Sequence, residues 1–127
     1  MAYSKVLVGT DGSLTAAKAV QRAVDLASAT DATLVVAFVG DSHTGQGVLD
    51  QVVAQHGGAG VPVETHLLEG DPAEALLGLA AAEGIDVVVV GNKGMTGASR
   101  FLLGSVPNKI SHQASCDVLI VNTTGVG

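Results

Sequence analysis

Glycine residues and a helix start stand close together between residues 86 and 107, which read DVVVVGNKGMTGASRFLLGSVP. Gly91 and Gly94 follow an apolar run, where a strand should end, and Gly104-Ser105 opens the next helical pattern. Ser105 is a good N-cap, and Pro107 suits a first helical turn because no N–H is needed there. A turn without Cβ atoms and the free N–H groups of a helix start form a phosphate cradle. These residue types therefore predict a nucleotide site.

Two common phosphate-binding motifs do not match this chain. A P-loop requires GxxxxGK followed by Ser or Thr, which is absent from the sequence. Residues 9–12 read GTDG and lack the GxGxxG spacing of dinucleotide-binding proteins. On residue types alone, Gly91, Gly94 and Gly97 are also compatible with tight turns that bind nothing. A phosphate site and simple turns both remain open at this point.

Apolar runs predict the strands that must position the glycine stretch. Residues 87–90 are four valines, a run too short for a helix and typical of a strand buried on both faces of a parallel sheet. Residues 61–68 alternate between apolar and polar types, which predicts a half-exposed strand near a sheet edge. The predicted strands are residues 5–10, 34–39, 61–68, 87–90 and 117–121.

Helical patterns separate these strands. The first follows a turn that either Asp11 or Ser13 could cap, and the second is a weak pattern from Val48 to about residue 57. The third begins at Asp71-Pro72, with Asp71 as its cap, and the fourth runs from Ser105 to about Ser115. Alternating strands and helices predict one α/β domain over residues 1–127, with a doubly wound parallel sheet and helices on both faces. Ligands bind such sheets where the strand order reverses, here between the first and fourth strands.

Composition restricts the class of partner. The chain has 127 residues, of which 47% are hydrophobic but only 2% aromatic, so we expect a core of small aliphatic side chains. A net charge of −6 provides no basic surface for nucleic acid or for an anionic membrane. Cys116 is the only cysteine, which precludes an internal disulfide and favours a reducing compartment. With no leader pattern and no membrane-spanning run, we expect a cytoplasmic protein.

The glycine spacing also resembles a known signature. Gly91-x-x-Gly94, nine residues and then Gly104-Ser105 is similar to the nucleotide-binding motif of ATP-binding universal stress proteins. The early VLVGTDGS and the C-terminal LLGSVPNKIS and DVLIVNT resemble the same family, above all its actinobacterial members. The resemblance covers nearly the whole chain. It implies a Rossmann-like sheet of five parallel strands in the order 3-2-1-4-5, usually in a dimer, that binds ATP or a related adenine nucleotide.

The resemblance assigns the glycine stretch to the ribose and phosphates. It implies that Gly91 and Gly94 lie against the ribose and the phosphates. Gly104, Ser105 and Val106 are implied to donate hydrogen bonds to the phosphates. Lys93 and Arg100 flank the same loop, where they either offset phosphate charge or remain solvated at the surface.

The same resemblance extends the site to the first two strands. Thr10 and Asp11 end the first strand and belong to the implied site, with Asp11 near the ribose or a bound Mg²⁺. A triphosphate beside a carboxylate needs a cation, so Mg²⁺ is the expected companion of ATP. Val39, at the end of the second strand, is implied to meet adenine with its backbone. Two features depart from the family: a short segment between the second and third strands, and Phe38 where many members carry His.

Other chemistry-bearing residues show no recognisable pattern. Among the four histidines, only His112 has a metal-like spacing, at i, i+4 from Cys116, and such pairs are more often ordinary neighbours. We expect Cys116 to be a small buried hydrophobe. No GxSxG elbow and no general base accompany the predicted phosphates, so ATP hydrolysis, if any, is expected to be slow.

A nucleotide sensor that regulates a stress response has three alternatives. Cyclic AMP could replace ATP, since one phosphate needs less counter-charge. A phosphoacceptor of the receiver type would need a Lys after the last strand, where Asn122-Thr123-Thr124 stands instead. A nucleotide-free dimeric scaffold is the third. We also predict a homodimer through the last strand, residues 118–121, which ends the chain as an apolar sheet edge.

Overall fold

Five parallel strands alternate with four helices in the computed structural model, which describes residues 3–58, 60–92 and 105–123. The strands are β1 (Lys5–Thr10), β2 (Thr33–Val39), β3 (Val63–Leu68), β4 (Val87–Gly91) and β5 (Asp117–Val121). The helices are α1 (Leu14–Thr30), α2 (Ser42–His56), α3 (Pro72–Glu83) and α4 (Ser105–Gln113). The strand order is β3-β2-β1-β4-β5, and every neighbouring pair is parallel. This confirms the predicted fold, with the order reversing between β1 and β4.

The sheet separates two apolar cores. Successive residues of a strand point to opposite faces, so β1 contributes to both cores. Val6 and Val8 pack with buried residues of α1 and α2, whereas Leu7 packs with buried residues of α3 and α4. The four valines of β4 divide between the cores in the same way, which confirms that this strand is buried on both faces.

Helix α2 is longer than the sequence pattern predicted. It begins at Ser42, where Asp41 accepts a hydrogen bond from the backbone N–H of His43 at 3.0 Å, and not near Val48. Glycines in its first half hid this start, because glycine usually interrupts a helix. One of them has a packing reason: a Cβ on Gly45 would lie 2.5 Å from Cδ1 of Phe38. The helix therefore lies closer to β2 than a residue with a side chain at position 45 would allow.

Helix α3 begins where the sequence predicted. The carboxylate of Asp71 caps it by accepting the N–H of Glu74 at 2.9 Å, and Gly84 ends it in the left-handed region at φ 65°. Lys109 of α4 donates to the side chain of Glu74 at 2.7 Å, which raises the pKa of the lysine and joins the two helices on this face. Within the described ranges, no helix has the length and apolarity that crossing a membrane requires.

Candidate functional site

The carboxyl ends of β1 and β4 lie side by side at the centre of the sheet. These strands are paired in parallel, with Val8 opposite Val89, so the turn after Thr10 and the residues after Gly91 leave the same edge. The reversal of strand order leaves a crevice at this place in doubly wound sheets. Thr10 and Gly91, two of the predicted site residues, therefore lie in the region where such folds bind ligands.

The turn from β1 to α1 is held by its own side chains. The hydroxyl of Thr10, which is buried, accepts the N–H of Gly12 at 3.1 Å, and the carboxylate of Asp11 accepts the N–H of Ser13 at 2.9 Å. The hydroxyl of Ser13 then accepts the N–H of Ala16 at 3.1 Å and so caps α1. Ser13 is thus the cap that the sequence left open, and Asp11 supports the turn while remaining partly exposed to solvent.

A small cavity lies between the ends of β1 and β4 and the starts of α1 and α4. It brings together Gly91 and Val106, two predicted site residues from the two ends of the glycine stretch. The remaining residues of its wall are small or apolar: Gly9, Thr15, Ala16, Ala19, Val90 and Thr123. None of these six was predicted to bind a ligand. The small side chains of Ala16 and Ala19, at helical spacing on α1, were the only available signal among them.

Ser105 lies within helix α4 (Ser105–Gln113), so it is not the N-cap that we predicted. Its side chain is exposed at the helix start, while Val106 is buried beneath it. Gly94 and Gly104 lie outside the described residues, as do Lys93 and Arg100, so their predicted roles stay predictions.

Val39 and Asp11 line neither this small cavity nor the larger one described next. Val39 is the last residue of β2 and its side chain is buried in the core with α3 and α4. The adjacent N–H of Gly40 donates to the carbonyl of Leu68 at 2.9 Å. The predicted adenine contact therefore concerns the backbone of Val39 at the carboxyl end of β2 and involves no exposed side chain.

A larger cavity of about 150 Å³ lies between α1 and α2. Among the described residues of its wall, Thr10 is the only predicted site residue, and Val20, Val48 and Val52 are among the others. A Cβ on Gly12 would lie 2.9 Å from Cγ2 of Val48, so α2 packs directly against the β1–α1 turn. The short segment between β2 and β3 thus still supplies a wall beside the turn.

No lysine or arginine of the described residues lies at the two cavities. The described ranges contain Lys5, Lys18, Arg22 and Lys109, and none of these side chains lines either cavity. Lys109 is occupied by Glu74 and by Asp71, whose carboxylate lies 3.7 Å from its Nζ. Asp11 makes the local charge negative. Within the described residues, the edge therefore suits a ligand of low negative charge or one accompanied by a cation.

The sequence reading missed one group of possible metal ligands. Glu64, His66 and Glu83 place their ligand atoms within 4.8 Å of one another, at the β3 edge and away from the carboxyl ends of β1 and β4. Glu83 is already 3.6 Å from Nζ of Lys5, and exposed carboxylates gather in this way without a metal, so we assign no ion here. The Glu-x-His alternation on one strand was the available signal.

The other histidine pattern is not a helical pair. Helix α4 ends at Gln113, so Cys116 does not share it with His112. Cys116 is half-buried against the core and not fully buried as expected, and desolvation raises the pKa of its thiol. His112 and Cys116 therefore do not share a helix face on which they could bind a metal as a pair.

Comparison with known proteins identifies the family. A sequence model of the Universal stress protein family matches residues 2–122. The chain belongs to this family. Universal stress protein Rv1636 of Mycobacterium tuberculosis H37Rv is 37% identical over 145 aligned residues, covering 97% of this chain and 99% of that protein. This confirms the resemblance that the glycine spacing indicated, including its actinobacterial relatives.

Solved structures of universal stress proteins share the fold. The crystal structure of a universal stress protein in complex with cAMP has a TM-score of 0.86 and 37% identity, covering 98% of this chain and 100% of that one. The structure of the universal stress protein from Archaeoglobus fulgidus in complex with dAMP has a TM-score of 0.75 and 20% identity, covering 94% and 98% of the two chains. At that lower identity, the second comparison supports the fold alone.

Proposed function

We propose that this universal stress protein binds an adenine nucleotide at the carboxyl ends of β1 and β4 and acts as a nucleotide-dependent regulator in a stress response. One observation carries the proposal: Gly91 and Val106, from the two halves of the glycine motif, line one cavity at the switch point. The proposed site includes Thr10, Asp11 and Val39 at neighbouring strand ends. The cAMP complex of a relative of 37% identity supports the ligand class.

Cyclic AMP is the first candidate within this class. Its single negative charge is easier to hold beside Asp11 than a triphosphate, because the described part of the site contains no Lys or Arg. ATP is the second candidate, and we propose that it binds together with Mg²⁺, which Asp11 would help to hold. The oxygen donors that Mg²⁺ prefers are carboxylates and phosphates. Any hydrolysis of ATP is expected to be slow.

Titration calorimetry with cyclic AMP and with ATP, each with and without Mg²⁺, tests the proposal. We expect Mg²⁺ removal to weaken ATP binding far more than cyclic AMP binding, since only the triphosphate needs the counter-charge.

Gly104→Val should abolish binding of both, because a side chain there would stand between the phosphate and the N–H groups of α4. Ser105→Ala should weaken binding by about 1–3 kcal/mol through a lost hydrogen bond to a charged group. Absence of binding by the wild-type protein at millimolar nucleotide would refute the proposal in favour of a nucleotide-free scaffold.

We also propose that β5 pairs with the same strand of a second copy. The two sheet edges differ in composition: β3 carries Glu64, Thr65 and His66 beside Leu67, which is 39% exposed, whereas β5 is apolar after Asp117, with Ile120 38% exposed. Charged and polar residues protect an edge, and an apolar edge invites pairing. Light scattering at micromolar concentration should give the mass of a dimer, and Ile120→Lys should shift it to a monomer. A monomeric mass for the wild-type protein would contradict this assembly.

A further inference from the structure

The ends of β4 and β5 are joined by one side chain. Asn92 follows β4, and its Oδ1 accepts two hydrogen bonds from Thr123: one from the backbone N–H at 3.1 Å and one from the hydroxyl at 3.0 Å. The N–H of Asn92 donates in turn to the carbonyl of Val121 at 2.8 Å. The chain that leaves β5 is therefore tied to the chain that leaves β4.

Thr123 also determines which residue can stand at position 91. Its side chain is buried, with only 3% of the residue exposed, and a Cβ on Gly91 would lie 2.9 Å from its Cγ2. This contact is too close for a side chain at position 91 unless Thr123 moves. Packing against Thr123 is thus sufficient to require glycine there, whether or not a ligand also approaches.

The same threonine lines the candidate site. Thr123 stands in the wall of the small cavity together with Gly91 and Val106. Its hydroxyl is fixed by Asn92, so its methyl group has one position over the end of β4. Binding sites gain affinity when the groups that support them are held in place before the ligand arrives.

We infer that Thr123 is a positioning residue for the nucleotide: through Asn92 it fixes the backbone at residues 91 and 92, which belong to the glycine stretch. This inference rests on the proposed function. The hydroxyl supplies the fixed orientation and the methyl group supplies the contact with Gly91. Loss of the hydroxyl therefore reduces affinity, and loss of the methyl group makes room at position 91.

Two conservative variants separate these roles. Thr123→Val keeps the shape and removes the hydroxyl, and it should weaken cyclic AMP binding about fivefold, the effect of one lost hydrogen bond. Thr123→Ser keeps the hydroxyl and should retain wild-type affinity, even if its midpoint of thermal unfolding falls as much as that of Thr123→Val. Thr65→Val, on the exposed β3 edge, is the matched control and should leave affinity unchanged.

A second pair of variants tests the contact with Gly91. Gly91→Ala should lower the midpoint of thermal unfolding, and Gly91→Ala combined with Thr123→Ser should recover most of that loss relative to Thr123→Ser alone. A double variant that lies as far below Thr123→Ser as Gly91→Ala lies below the wild type would overturn the packing argument. Equal cyclic AMP affinity for Thr123→Val and the wild type would overturn the positioning role alone. No binding by the wild type would overturn the role together with the proposed function.

Discussion

The two ends of the central strands use aspartate in different ways. At the amino end, Asp86 accepts hydrogen bonds from the backbone N–H groups of Ser4 and Lys5 at 2.7 and 3.0 Å. At the carboxyl end, the carboxylate of Asp11 takes one from Ser13 within its own turn. Asp86 thus ties β4 to the chain entering β1, whereas Asp11 shapes a turn at the edge proposed to bind a nucleotide.

The amino end of the sheet therefore contributes to stability, whereas the carboxyl end is the one proposed to bind a nucleotide. Hydrogen bonds from two N–H groups lower the pKa of Asp86, so the carboxylate is held in its charged form by the fold itself. At the same end, the hydroxyl of Tyr3 donates to Asp117 at 2.7 Å. The amino end is closed by contacts within the protein, and the carboxyl end carries the cavity.

The largest test of this contrast is Asp86→Ala. Removing the carboxylate leaves the N–H groups of Ser4 and Lys5 without this acceptor and should lower the free energy of unfolding by about 1–2 kcal/mol, less than for a fully buried group because solvent screens the site. Chemical denaturation measures the loss, and titration calorimetry should give unchanged nucleotide affinity. A change in affinity with no loss of stability would reverse the assignment of the two ends.

Asp71→Ala tests whether position at the carboxyl end is sufficient to make an aspartate functional. Asp71 follows β3 but caps α3, so its loss should cost about 1 kcal/mol of stability and leave nucleotide affinity unchanged. Denaturant titration and calorimetry of the same sample measure both quantities. An unchanged unfolding midpoint would contradict the role as a cap.

The smallest expected effect is a pH dependence at the amino end. Because the pKa of Asp86 is lowered from its ordinary 3.8, its contribution to stability is complete above that value and is lost as the pH falls through the lowered pKa. Wild type and Asp86→Asn should therefore differ in unfolding midpoint at pH 6 and converge as the pH falls below about 4. A difference that stays constant down to pH 2 would mean that the charge of Asp86 contributes nothing.

Much of this protein follows from local sequence. The valines of β4 predict a strand buried on both faces, because a continuous run of apolar β-branched residues places apolar side chains on both sides of the sheet. Asp71-Pro72 and Gly84 predict the limits of α3, since each satisfies a helix end by itself. The glycine spacing indicated the family before any contact was known, because it preserves the backbone approach that a phosphate needs.

Tertiary structure decided what depends on distant neighbours. The start of α2 was missed because glycine at position 45 is explained only by its close contact with Phe38, a residue of strand β2. Gly91 was explained either by a ligand or by a tight turn, and its close packing against Thr123, beyond the end of β5, was not foreseen. The sequence determines where a chain can turn, cap or bury itself, since those preferences are local. Only packing determines which distant side chain fills the space beside a glycine, because that space is created when the elements come together.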